Sequence, residues 1–184
     1  MNRVGARRAA GALAALAAVT AGCTASPPDV DPELRKAVQP AVHDALVAEA
    51  SKDGGLLGDS PSSKARWFCA EKIVEIRKSE AGALTVGLVA DCSELEGRAG
   101  SLVQGTGMSG PHLMKLAPTP QGAYRVTHHD APPDGAGYDA WIGRSFSKAA
   151  AAEIRRAAWN GTPTTESAAR THFGLPADAP VTSG

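Results

Sequence analysis

The strongest constraint on the fold is a pair of cysteines set in two alternating stretches that flank a turn. In residues 66–78, RWFCAEKIVEIRK, Phe68, Ala70, Val74 and Ile76 share one parity, and Trp67, Cys69, Ile73 and Glu75 share the other. In residues 83–92, ALTVGLVADC, Leu84, Val86, Leu88, Ala90 and Cys92 recur at every second position. Period-two alternation is the signature of a half-buried strand. Between the stretches, Ser79-Glu80-Ala81-Gly82 reads as a turn. A hairpin centred between Glu80 and Ala81 pairs residues whose numbers sum to 161, which those of Cys69 and Cys92 do. Opposed residues of an antiparallel pair have Cα atoms about 4.5–5.5 Å apart, a span that a disulfide accepts. Hairpin and disulfide therefore predict each other, with Ile73 opposite Leu88 on the same face. Closing a loop of roughly 20 residues contributes about 3 kcal/mol through the entropy of the unfolded chain. The alternative is two buried free thiols.

The third cysteine, Cys23, stands apart. Arg3, Arg7 and Arg8 give a basic start, residues 9–21 form an uncharged apolar run, and Ala21-Gly22 are small. That is the layout of an export signal over residues 1–22. The run is too short to span a bilayer, which takes roughly 20 apolar residues. Val19-Thr20-Ala21-Gly22-Cys23 resembles the lipobox of bacterial lipoproteins, with Thr20 where that family usually has Leu. The resemblance implies that Cys23 carries a diacylglycerol, its acyl chains of the palmitate kind. Cys23 then becomes the first mature residue and anchors the protein on the extracytoplasmic face of the cell membrane. A plain secretory signal, with Cys23 a free thiol, is the alternative. The Arg7-Arg8 pair leaves open the general or the twin-arginine export route. Residues 23–32, polar and Pro-rich, read as a tether.

With signal and tether removed, the 184-residue chain allows one domain, placed at 33–160. Removing the three signal arginines leaves 16 bases against 19 acids, a net of about −3. Without a basic run to neutralise phosphates, nucleic-acid binding is disfavoured. In an oxidising compartment Cys69 and Cys92 remain to pair. A structural metal site would want more ligands at tighter spacing.

Asp31-Pro32-Glu33 reads as a helix start. Leu34, Val38, Ala41/Val42 and Ala45/Leu46 then recur at helical spacing, with Pro40 expected to kink or restart the helix, and His43 and Asp44 facing solvent. Residues 51–65 read as loop and 93–100 as a polar turn. A third strand is expected over 101–107, a further strand over 109–118 with Leu113 and Leu116 or Met114 in the core, and another over 123–128. A rigid loop follows at 130–137. Tyr138, Ile142 and Phe146 are spaced by four, and Ser147 can cap a helix over 148–159 that stops at Asn160-Gly161. The remainder, 161–184, reads as a weak helix near 164–172 and a loosely ordered tail. Helix, strands, helix is an α+β order: an N-terminal helix packed on a curled antiparallel sheet of about four strands, with a C-terminal helix. The architecture is similar to the cystatin or NTF2 type, an analogy of fold that transfers no activity.

No reaction is written in the residues. Residues 105–110, GTGMSG, match a phosphate-binding pattern, but Pro111 follows and no helix opens there. His128, His129 and Asp130 could ligate a metal with His112 from a neighbouring strand, yet adjacent strand residues diverge, and surface histidines at a strand end are the simpler reading. Asp91, Glu94, Glu96, Asp130 and Asp134 could include a catalytic carboxylate pair, although solvated turns account for all five. No G-x-S-x-G or H-E-x-x-H occurs. Asn160-Gly161-Thr162 is a sequon that carries no information in a bacterial lipoprotein. Trp67, Phe68, Tyr124, Tyr138, Trp141 and Phe146 read as core, or as one wall of a pocket in the curled sheet.

Ser109-Gly110-Pro111, Tyr124-x-Val126, and Pro132-x-Asp134-Gly135-x-x-Tyr138-x-x-x-Ile142-x-x-x-Phe146 are similar to a pattern in small uncharacterised secreted proteins of Gram-positive bacteria. That resemblance implies a helix docked on the sheet and brings no catalytic residues. The expectation is a lipid-anchored extracytoplasmic binding or interaction module for a protein, peptide or small apolar ligand, with no catalytic, cofactor or metal residue assigned. The alternatives are a small envelope enzyme with Asp130 or His128 as base, and an envelope assembly protein.

Overall fold

The computed structural model describes residues 30–52, 54–57, 64–79, 82–160 and 164–184. The stretches expected to be the export signal and most of the tether, together with Cys23, two turn residues (Glu80 and Ala81) and Gly161-Thr162 of the sequon, lie outside the described residues.

Helix α1 (Pro32–Ala50) begins where expected: the Asp31 carboxylate accepts from the N–H of Glu33 at 3.0 Å and of Leu34 at 3.4 Å. Pro40 neither breaks nor restarts it, and the helix runs through as one element of 19 residues. Val38, Val42, Leu46 and Ala50 form a buried stripe at intervals of four that holds the helix on the sheet across that proline.

Strands β1 (Arg66–Lys78) and β2 (Leu84–Arg98) make the expected hairpin. Cys69 faces Cys92 and Ile73 faces Leu88. The disulfide is formed, with Cα atoms 4.1 Å apart. Nearer the turn the pairing is offset by one, Ile76 facing Val86 and Lys78 facing Leu84. A bulge at Val74 absorbs the extra residue before the cysteines are reached. It also breaks the alternation: Val74 packs on one face, while Ile76 joins Ile73 and Cys69 on the α1 face.

Three further expectations require correction. Residues 93–98 are strand rather than turn, and the turn is Ala99-Gly100, both at positive φ, which gives a tight hairpin that matches the sheet twist. The separate strands expected over 101–107 and 109–118 are one, β3 (Ser101–Pro118), paired with β2 along its length. The stretch expected to be a loose tail folds: after β4 (Tyr124–Asp130), α2 (Tyr138–Ser145) and α3 (Lys148–Asn160), helix α4 (Glu166–Phe173) packs on the sheet and β5 (Val181–Ser183) pairs with β3 in parallel. Ala169, fully buried with Leu95 and Leu102, provides the hydrophobic reason. Ser147 caps α3 as expected, its Oγ accepting the Ala150 N–H.

The sheet order is β1-β2-β3-β4, with β5 also beside β3. On one face α1 covers an aliphatic cluster of Leu84, Val86, Leu88, Ala90, Cys92, Met114 and Leu116. On the other, α2 and α3 bring Trp141, Ile142, Phe146 and Ile154 onto Val74 and Val89. Together these elements give an α+β fold on a curled, unclosed sheet. Among the described residues no helix is long and apolar enough to cross a membrane.

Candidate functional site

The outer edge of β3 is shared. Strand β5 takes Leu102–Gln104, and the Gly184 N–H extends that pairing by donating to the Gln104 carbonyl at 2.8 Å. Strand β4 takes Leu113–Pro118. Residues 105–112, which include the GTGMSG match, have no strand partner on that side among the described residues. Two of the three glycines there, Gly105 and Gly107, serve close packing, while Gly110 stands in open space. A Cβ on Gly105 would lie 2.3 Å from the Glu94 carboxylate, and one on Gly107 would lie 2.9 Å from the Cys92 carbonyl.

Beside this edge is an open cavity of about 430 Å³, lined by Glu49 and Ala50 at the end of α1, the 54–56 segment, Trp67 of β1, and Thr106 to Met108. Leu56, 77% exposed, stands at its rim. A second cavity, about 210 Å³, is bounded by Met108 to His112, Pro132, Asp134 and Tyr138. Met108 lines both.

The structure separates the His128-His129-Asp130 trio. His128 is exposed, and the Asp130 carboxylate accepts from the Trp141 indole at 3.2 Å. His129 turns inward, its Nδ1 3.5 Å from Glu49 Oε2, the oxygen that also accepts from Lys52 at 2.6 Å. On the other side of its ring, Nε2 lies 3.0 Å from Nδ1 of His112. His112 is thus brought to His129 as the sequence suggested, but in a hydrogen-bonded pair. Among the described residues no group of three or more side chains could hold a metal ion. Burial pushes His112 down to about 4, aided by His129, and burial also lowers His129. The Lys52 bond holds Glu49 below the ordinary carboxylate range.

The five acids do not form one site, and two are not solvated. Glu94 and Glu96 are buried in β2. Glu94 accepts the Leu57 N–H at 3.1 Å, and Glu96 accepts from Arg98 at 2.6 Å. Asp91 is raised by burial and by nearby Glu166. Asp130 and Asp134 are exposed.

A site that the sequence reading missed lies on α1. His43, expected in solvent, has Nδ1 3.2 Å from Oε2 of Glu71, whose other oxygen accepts from Gln39 at 2.5 Å. The Glu71 side chain is 3% exposed and that of His43 45%. The available signal was Gln39 and His43 one helical turn apart on the flank of the apolar stripe. The ring borders a cleft of about 510 Å³ with Arg66, Phe68 and His172. No protein family, curated protein or solved structure matches the chain.

Proposed function

We propose that this protein is an extracytoplasmic binding or interaction module, anchored to the cell membrane by lipid on Cys23, that receives an extended segment of an envelope protein along β3. The observation that carries this reading is the run 105–112, left without a strand partner among the described residues and flanked by the 430 Å³ cavity. An unpaired edge presents backbone N–H and C=O groups to an incoming strand, and pockets beside it take alternate side chains. The lipobox resemblance and the Cys69–Cys92 disulfide support an oxidising, membrane-apposed setting.

The test is a photo-crosslinking residue at Thr106 in intact cells, compared with one at Lys115, where β4 already covers the edge. A defined envelope peptide captured from Thr106 and not from Lys115 is expected. Equal capture from both, or none, contradicts the reading. Separately, Cys23→Ala should move the protein from the membrane fraction to the medium, and retention would overturn the anchor.

One observation favours a second reading as a small envelope enzyme: the Glu71–His43 pair, a buried carboxylate orienting an imidazole at a cleft. In that reading the base is His43, rather than Asp130 or His128.

A further inference from the structure

The chain from Lys52 through Glu49 and His129 ends at a nitrogen with no partner among the described residues. His112 is 6% exposed, and its Nε2 has no hydrogen-bond partner among the described residues. The protons along the chain can be placed. The Glu49 carboxylate only accepts, so His129 Nδ1 carries a hydrogen toward it. A neutral His129 then has a lone pair on Nε2. His112 must supply the hydrogen for the 3.0 Å contact from its own Nδ1. That leaves the second lone pair, on His112 Nε2, as a buried acceptor lacking a donor. Such groups are rare in folded proteins and call for an explanation.

The 210 Å³ cavity supplies one. His112 is part of its wall, together with Met108, Pro111, Pro132 and Tyr138. Apart from Asp134, which is exposed, the named wall residues are largely apolar. The cavity is smaller than the ~300–1,000 Å³ usual for drug-sized ligands. We propose that it binds a small neutral alcohol or phenol, a single ring or short chain, whose O–H donates to His112 Nε2 while its apolar body fills the space against Met108 and the prolines. His112 borders the cavity while its Nε2 has less than 1 Å² of accessible surface, so the donor must draw the ring toward the cavity. The Glu49–His129 chain fixes the tautomer that presents the lone pair. This site adjoins the partner edge and shares Met108 to His112 with it, but the O–H claim does not rest on that reading.

The pair phenol and anisole isolates the claim, because the two have similar shape and only phenol donates. The full chain, labelled with ¹⁵N-histidine, is titrated with each. Phenol is expected to bind at least tenfold more tightly than anisole and to move the His112 Nε2 resonance, leaving His128 unmoved. In His112→Phe the preference for phenol should vanish. Equal affinity for the two, absence of phenol binding, or binding without movement of that resonance would overturn the proposal. The wild-type titration stands alone should His112→Phe fail to fold.

Discussion

The two faces of the sheet are built on different rules. Under α1 the contacts are aliphatic and regular: Leu84, Val86, Leu88, Ala90 and Cys92 follow one another at every second residue, and Val38, Val42 and Leu46 answer at every fourth. Under α2, α3 and α4 the contacts are shaped. Phe146 sits where a Cβ on Gly87 would come within 2.7 Å of its ring, and Phe173 sits over Gly97 at 2.8 Å. The first face is held by pattern and the second by notches cut for particular rings. A patterned face loses stability in proportion to the volume removed, whereas a notched face loses it when volume is added.

The largest effect should come from the patterned face. Leu88→Ala removes a fully buried side chain opposite Ile73 and should cost about 3–4 kcal/mol, read from urea unfolding. A loss under about 1 kcal/mol would mean that the α1 core is loosely packed. The acid end of the same face comes next. His112 is neutral in the fold down to about pH 4 and titrates near 6.5 when unfolded. The unfolded chain therefore takes up a proton first as pH falls. Stability contributed by the neutral ring is present above about pH 6.5 and is lost between there and about 4, on the order of 3 kcal/mol. His129, lowered the same way, adds to that loss. Glu49, lowered by Lys52, adds a further loss only below its ordinary range. Unfolding curves from pH 7 to 4 should fall steeply for the wild type and less steeply for His112→Phe, while equal slopes would contradict the assignment. The smallest effect tests the notched face. Gly87→Ala should cost about 1–3 kcal/mol by displacing Phe146, and Phe146→Leu in the same chain should recover part of it. Additive losses would show that the notch does not bind the ring.

Much of the patterned face was legible in the sequence. Alternation located both strands of the hairpin, and their common centre paired Cys69 with Cys92 despite a turn one residue longer than expected, because the bulge at Val74 restored the register. The same alternation puts Ile76 on the wrong face, since a bulge leaves no local signal. The polar run 93–98 read as turn because its acids are buried by partners distant in sequence, such as Leu57 bonding Glu94. The C-terminal elements are not legible in the sequence because Ala169 and Val181 gain meaning only against Leu95 and Leu102. The candidate sites were less legible still. His112 was named beside His129, but the third member, Glu49, lies 63 positions before His112, on a helix whose end meets that strand only in the fold. The open stretch of β3 is a property of what β4 and β5 leave unpaired.

Hydrogen exchange along β3 tests the central claim most directly. On this account the outward-facing amides within 105–110 exchange quickly, while those of 102–104 beside β5 and 113–117 beside β4 stay protected. Uniform slow exchange from Leu102 to Ala117 would mean that the edge is already covered and would contradict a partner-binding role for it.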